Sequence, residues 1–281
     1  MTEGDQSKSP LNVAVAGFGT VGQSVARILC EGSHGNLRLS QIYNRGVERK
    51  RVNWVPPDVV WTDQIDEVLT SDVDVLVELI GGLDPATAWI RRALEAGKSV
   101  VTANKQVIAH YGPGLVDLAR QHHSRLCFEA TVAGGIPVIR TLQEGLAGDS
   151  LFRIKGILNG TCNYILTRME ANKMPFAEAL AEAQQLGYAE ANSIADVEGF
   201  DSQAKLAILT AVGLRYRIDV DTIPLRTITT VDPIDFVYAK RLDCTIRQVA
   251  RAELDMSIPN RVLASVQPVL VPQGGIGRQQ E

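Results

Sequence analysis

Lys205 follows Asp201 by four residues, directly behind a loop that also carries Glu190, Asp196 and Glu198. Residues 201–213 read as a helix whose surface is clothed by Ala204, Leu206, Ala207, Ile208, Ala211 and Val212, so Asp201 and Lys205 share one face of a core helix. An i,i+4 ion pair standing alone is usually a weak surface contact. Here five ionisable groups surround one short loop and one core helix. A lysine beside a carboxylate at the edge of an apolar core can donate a proton or, when desolvated, take one, which is chemistry useful next to a substrate hydroxyl or carbonyl.

A second constellation lies near the start of the chain. Gly17-Phe18-Gly19-Thr20-Val21-Gly22 follows the apolar run 11–16 and leads into the helical pattern 23–29. The glycine spacing alone is weak, but in a strand-turn-helix context it is the signature of a dinucleotide cradle. Gly17 permits the tight turn, Gly19 admits a pyrophosphate to the backbone and Gly22 allows helix to pack on strand, while the helix start offers free N–H groups. The second strand ends in Asn44-Arg45, with Arg49, Lys50 and Arg51 close behind. An acid there would hold the ribose 2′-hydroxyl of NAD, whereas an arginine accepts the 2′-phosphate of NADP. Arg45 therefore points to NADP, with NAD an open alternative and a solvated basic loop the bland reading.

The elements that must position these residues alternate. Strands are expected at 37–43, 74–78, 98–101 and 126–128, and helices at 85–96 and 105–121, which predicts an α/β fold with a doubly wound parallel sheet. Ligands of such sheets sit at the strand carboxyl ends, here the Gly17 loop, the loop 78–82 with Gly81, and Thr102-Ala-Asn104-Lys105. At residues 130–137, rich in small side chains, the rhythm stops, marking a hinge. Beyond it come a helix at 138–146, a strand at 154–158 running into Asn159-Gly160-Thr161, and helices at 161–169 and 175–186. The Asn-Gly-Thr turn is either a helix cap or, beside the acidic loop, a polar ligand site. A helix at 234–242 and strands at 244–254 and 261–270 complete an α+β second domain. The organisation expected is a disordered lead 1–10, a nucleotide domain 11–130, a catalytic and dimerisation domain 131–271 and a disordered tail 272–281.

Composition narrows the partners. The 281 residues are 45% hydrophobic and carry a net charge of −4, which supplies no basic field for nucleic acid and favours a small-molecule partner. Cys30, Cys127, Cys162 and Cys244 form no C-x-x-C pair, and His34, His110, His122 and His123 have no metal-ligand spacing. Reduced thiols in a cytoplasm are the expectation, with no leader and no membrane span.

The chain resembles homoserine dehydrogenase. The resemblance rests on Gly17 to Gly22, Glu78-Leu-Ile-Gly81-Gly82, Val101-Thr-Ala-Asn-Lys105, residues 129–137, Gly156-Ile-Leu-Asn-Gly-Thr161, and Gly187-Tyr188-x-Glu190 through Asp196-Val-x-Gly199-x-Asp201-x-x-x-Lys205. It implies a Rossmann domain followed by a catalytic domain, and NADP-linked interconversion of L-homoserine and L-aspartate 4-semialdehyde. It further implies that Lys205 transfers the proton beside Asp201, and that Lys105 is the other active-site lysine, though the two roles could be exchanged. By the same resemblance Glu190 and Asp196 hold the substrate ammonium, Asn159, Gly160, Thr161 and Tyr188 line the substrate side, and Glu129, Val132, Gly134 and Ile136 bind a structural sodium, largely through carbonyls. A homodimer paired through the second-domain sheet is also implied.

Two departures from the family pattern stand out. Asn192-Ser193 replaces the usual Asp-Pro, which removes a carboxylate and a fixed φ and predicts weaker substrate binding. The closing segment that family members place after a strand like 266–271 is missing, as is any regulatory domain. That leaves a weakly active or inactive nucleotide-binding relative as the competing expectation.

Overall fold

In β1 (Leu11–Ala16), Val13 and Val15 face one way and Ala14 and Ala16 the other, and all four are buried. Both faces of this strand are therefore covered, as a parallel strand requires. On the first face Phe18, Ile42 and Val77 join the valines. On the second, Leu76, Ile90, Leu94, Val100 and Leu115 close over the alanines, whose small side chains let helices approach. The computed structural model describes residues 9–32 and 36–274, so residues 1–8 of the expected lead, the tail beyond 274 and His34 lie outside the described residues.

The other strands of this sheet are β2 (Leu37–Tyr43), β3 (Val60–Thr62), β4 (Val75–Glu78), β5 (Ser99–Thr102) and β6 (Leu126–Cys127). They are parallel throughout, in the order β3-β2-β1-β4-β5-β6. The order reverses between β1 and β4, which opens a crevice at their carboxyl ends. Strand β3, too short and mixed to be read from periodicity, extends the sheet beside β2.

The chain divides into two compact units, Met1–Ile136 and Pro137–Glu281. The second unit is built on an antiparallel sheet of β7 (Arg153–Gly156), β8 (Cys244–Leu254) and β9 (Val262–Pro272), in that order. Beyond β9, Arg226 N–H donates to the Val266 carbonyl and Val266 N–H to that of Pro224, so a short extended segment covers part of that edge. Helices Gly160–Asn172, Phe176–Gln185 and Pro233–Arg241 gather Ile165, Leu166, Met169, Ala179, Ile228 and Phe236 into one core.

Two expected helices are interrupted. Residues 138–146 form the helix Val138–Arg140 and then a wider π-type turn, Thr141–Gly145. Residues 201–213 form Phe200–Leu209 followed by another such turn, Thr210–Leu214. In both places a threonine hydroxyl at the junction bonds back four residues, Thr141 to the Pro137 carbonyl and Thr210 to that of Leu206, at 2.6 and 2.7 Å. That competition for a helical carbonyl loosens the ladder where each turn widens.

Candidate active site

Gly199 has φ +96°, a conformation that favours glycine, and it turns the chain from the short helix Ile194–Val197 straight into Phe200–Leu209. A Cβ at that position would touch Leu225 and Val266 at 3.4 Å. The tight reversal brings Asp196 and Asp201 to the same amide. Asn159 Nδ2 donates to Asp196 Oδ1 at 2.6 Å and to Asp201 Oδ2 at 2.9 Å. Its Oδ1 accepts from Cys162 N–H at 2.7 Å, capping helix Gly160–Asn172. One buried side chain thus fixes two carboxylates and a helix start.

Asp201 belongs to a helix on which every residue from Asp201 to Leu209 is buried except Lys205. Lys205 Nζ lies 2.7 Å from Asp201 Oδ2 and donates to the Leu158 carbonyl at 2.8 Å. An ammonium has three donors, and among the described residues no partner takes the third. Lys205, Asp201 and Asp196 line a recess of about 750 Å³, open on one side, with Asn159, Gly160, Thr161 and Tyr188 on its wall. Desolvation is the main cause that pushes the Cys162 thiol up to about 12, with the charges of Asp196 and Asp201 adding to it. Its Sγ donates to the Asp196 carbonyl at 3.0 Å. Behind the recess, then, is an inert thiol rather than a nucleophile.

The structure brings Asn159, Gly160, Thr161, Tyr188, Asp196, Asp201 and Lys205 together, and leaves Glu190 and Glu198 apart from them. Glu190 is exposed and outside the recess lining, its backbone carbonyl accepting from Gln184. Glu198 accepts from the Thr227 hydroxyl at 3.3 Å. The sequence reading missed Asn163, Tyr164 and Thr167 on the recess wall. The Tyr164 ring lies 4.7 Å from that of Tyr188, tilted by 37°, and its hydroxyl donates to Glu182, which also pairs with Arg168. Their positions three to four apart on one helix were the available signal. Thr161 Oγ1 donates to the Tyr188 carbonyl and ties the far wall to the helix start.

In the first unit the glycines behave as a nucleotide cradle requires. Gly17 has φ +105°, and a Cβ there would lie 2.7 Å from the Leu79 carbonyl oxygen. At Gly22 a Cβ would collide with the Gly17 carbonyl oxygen, while at Gly19 nothing lies within 4 Å. Gly19 caps helix Thr20–Glu31, whose first turn carries no acidic residue and no side-chain cap, so its N–H groups are left for an anion. Phe18 is fully buried, whereas Thr20 and Val21 are exposed at the helix start. Asn44 Oδ1 accepts from Phe18 N–H at 3.2 Å, joining the end of β2 to the glycine turn, and Arg45 beside it is exposed.

The comparisons with known proteins agree with this geometry. A family model described as "Homoserine dehydrogenase, NAD binding domain" matches residues 17–129, and one described as "Homoserine dehydrogenase" matches residues 137–276. A putative homoserine dehydrogenase structure from Archaeoglobus fulgidus is 33% identical, with a TM-score of 0.78 over 93% of this chain and 84% of that one. The chain belongs to the homoserine dehydrogenase family. The homoserine dehydrogenase structure from Thiobacillus denitrificans is 33% identical, with a TM-score of 0.86, covering 96% of this chain and 63% of that one. Homoserine dehydrogenase of Mycobacterium bovis is 44% identical over 94% of this chain and 62% of its own length. The chain thus spans about three fifths of the curated relatives it matches. Family and structural neighbours carry the same fold as that described above, a Rossmann-like parallel sheet followed by a domain with an antiparallel sheet.

Proposed function

We propose that this chain is a homoserine dehydrogenase in activity as well as family, interconverting L-homoserine and L-aspartate 4-semialdehyde in amino-acid biosynthesis. The observation that carries the reading is the Asp201–Lys205 pair at the wall of the recess, with Asn159 fixing the two carboxylates. A nicotinamide nucleotide supplies or accepts the hydride, and the cradle around Gly17, Gly19 and Gly22 fits its pyrophosphate. Hydride leaves the hydroxyl-bearing carbon only as the hydroxyl proton departs, so a proton carrier must stand at that oxygen. Lys205 fills the role: Asp201 and the Leu158 carbonyl orient its nitrogen, leaving one donor position toward the recess. As ammonium it gives a proton to the aldehyde oxygen during reduction, and as amine it takes the hydroxyl proton during oxidation. Lys105 begins the helix Lys105–Gln121 after Thr102 and Asn104, and is assigned by its motif to stabilising the developing alkoxide. Asp196 and Glu190 are assigned to the substrate ammonium, with Gly160, Thr161 and Tyr188 on the substrate wall.

Arg45, which takes the position of the NAD-selecting acid, supports a preference for NADP. Sodium is proposed at Glu129, Val132, Gly134 and Ile136. Ala133 and Gly134, at φ +60° and +57°, curl the chain, and the Ala133 carbonyl alone in residues 132–136 accepts a backbone hydrogen bond, from Ile136, among the described residues. That supports the carbonyls of Val132, Gly134 and Ile136 as ligands, whereas the Glu129 carbonyl accepts from Val132 N–H at 3.4 Å. Exposed Leu263 and Leu270 on β9 support pairing of two copies through this sheet, and the scattered free cysteines support a cytoplasmic setting. Among the described residues, no helix is long and apolar enough to cross a membrane.

The test is L-homoserine-dependent reduction of NADP by the purified protein, followed by the absorbance of the reduced nicotinamide, with NAD in parallel. Turnover faster with NADP is the expected result. Folded protein that binds nucleotide without turnover would instead indicate an inactive relative.

A further inference from the structure

Glu78 ends β4 with a side chain that is 0% exposed. Its Oε1 accepts from Ile80 N–H at 2.9 Å and Gly81 N–H at 3.3 Å, and its Oε2 from the Thr102 hydroxyl at 2.6 Å. Every partner is a donor, so the carboxyl acts solely as an acceptor. Thr102 Oγ1 in turn accepts from Asn104 N–H at 2.9 Å, and Asn104 Nδ2 donates to the Gly82 carbonyl at 2.7 Å. The chain of bonds closes on itself and joins the loop after β4 to the loop after β5. Gly81 and Gly82 both have φ +73°, and no backbone crowding surrounds them, so the loop needs glycine for its dihedrals rather than for space.

A buried carboxylate without hydrogen bonds is costly, and one that gathers three donors from two loops fixes both. These loops lie at the carboxyl ends of β4 and β5, beyond the reversal of strand order. The β2 end, where the adenosine ribose is read, belongs to the other half of the sheet. The half containing Glu78 is therefore the one that meets the nicotinamide nucleotide. The loop also bears on the glycine turn, because the Leu79 carbonyl is what crowds Gly17.

We propose that Glu78 is a positioning residue for the nicotinamide half of the cofactor, acting through the loop 80–82 and through Thr102 and Asn104 rather than by touching the ligand itself. The inference rests on the nucleotide-binding reading of the first unit. It predicts that losing this carboxylate weakens the grip on the nicotinamide half more than the grip on the half beside Arg45, which Glu78 does not touch.

The experiment measures the affinity of the 281-residue protein for NADPH and for 2′-phospho-ADP-ribose, which lacks the nicotinamide, in wild type, Glu78→Gln and Thr102→Val. Glu78→Gln keeps the shape and turns one acceptor into a donor, and Thr102→Val removes the hydroxyl while leaving Glu78. Each variant is expected to bind NADPH about tenfold more weakly, the loss of roughly one buried hydrogen bond, with the fragment changed less than twofold. Equal losses for both ligands, or unchanged NADPH binding in both variants, would overturn the assignment. A wild-type protein that binds neither ligand would overturn the nucleotide reading itself, and the assignment with it.

Discussion

Asn159 holds Asp196 through a 2.6 Å hydrogen bond, the shorter of the two that its amide nitrogen donates; the other goes to Asp201. The two carboxylates come from different helices and meet through this one group. Asn159→Asp retains an acceptor for Cys162 N–H but removes the donors and adds a third acid. It is expected to lower kcat/KM by at least about tenfold, because two carboxylates lose their shared partner and gain a like charge. Steady-state kinetics with L-homoserine would check this, and near-normal kcat/KM would show that Asn159 only caps a helix.

Lys205 carries the second prediction. Lys205→Met preserves the packing of the stem and removes the nitrogen. Turnover is expected to fall about 10²- to 10⁴-fold, the usual share of a proton carrier, with NADPH affinity little altered. A folded variant with near-normal kcat would reassign the proton to Lys105.

Asn192 Oδ1 accepts from Ile194 N–H at 3.3 Å, at the entry to the short helix that carries Asp196. Asn192→Asp with Ser193→Pro is expected to lower the KM for L-homoserine by stiffening that entry and adding a charge near a helix start. Ser193 has φ −96°, displaced from the value of about −65° that proline imposes. The proline change alone is therefore expected to reduce Tm slightly. An unaltered KM in the double variant would separate this loop from substrate binding.

Much of this site was legible because its chemistry is written in spacing. Asp201 and Lys205 share a face by helical period, and the glycines of the cradle follow a strand and open a helix. Strands 37–43 and 244–254 were readable from their apolar pattern and agree with β2 and β8. What stayed hidden depends on contacts between distant residues: Asn159 lies 37 residues from Asp196 and 42 from Asp201. Glu78 is 24 residues from Thr102, and no periodicity announces that bond. The widened turns at Thr141 and Thr210 escaped because a threonine fits a helical pattern until its hydroxyl takes a carbonyl.

Arg45 governs the fourth prediction. Arg45→Asp replaces the phosphate partner with an acid suited to a ribose 2′-hydroxyl, and is expected to shift preference from NADP toward NAD. Parallel kcat/KM measurements with the two nucleotides would read the shift, and an unchanged ratio would leave Arg45 a solvated surface residue.

Cys162 sets a dependence on alkaline pH. Burial holds its thiol protonated up to about 12, against 9.0 for the unperturbed group. Between those values the folded chain keeps a proton that the unfolded chain releases, so stability falls as pH rises through this window. Denaturation at pH 8 and pH 10 is expected to show the decline, and Cys162→Ser to lessen it. In native protein at pH 8, a thiol reagent is expected to label the exposed Cys127 and to spare Cys162.

Strand β7 waits for its partner. Arg153 pairs with Glu253 across a separation of 100 residues, and β8 occupies the centre of the antiparallel sheet. During synthesis, β7 and the helices that follow it leave the ribosome well before β8 does, so the central strand on which this sheet is built is made after them. Closing so long a loop is entropically slow. The recess residues Asn159, Asp196, Asp201 and Lys205 are all translated before that strand, so the site is spelled out early and must await a late arrival before its scaffold is complete.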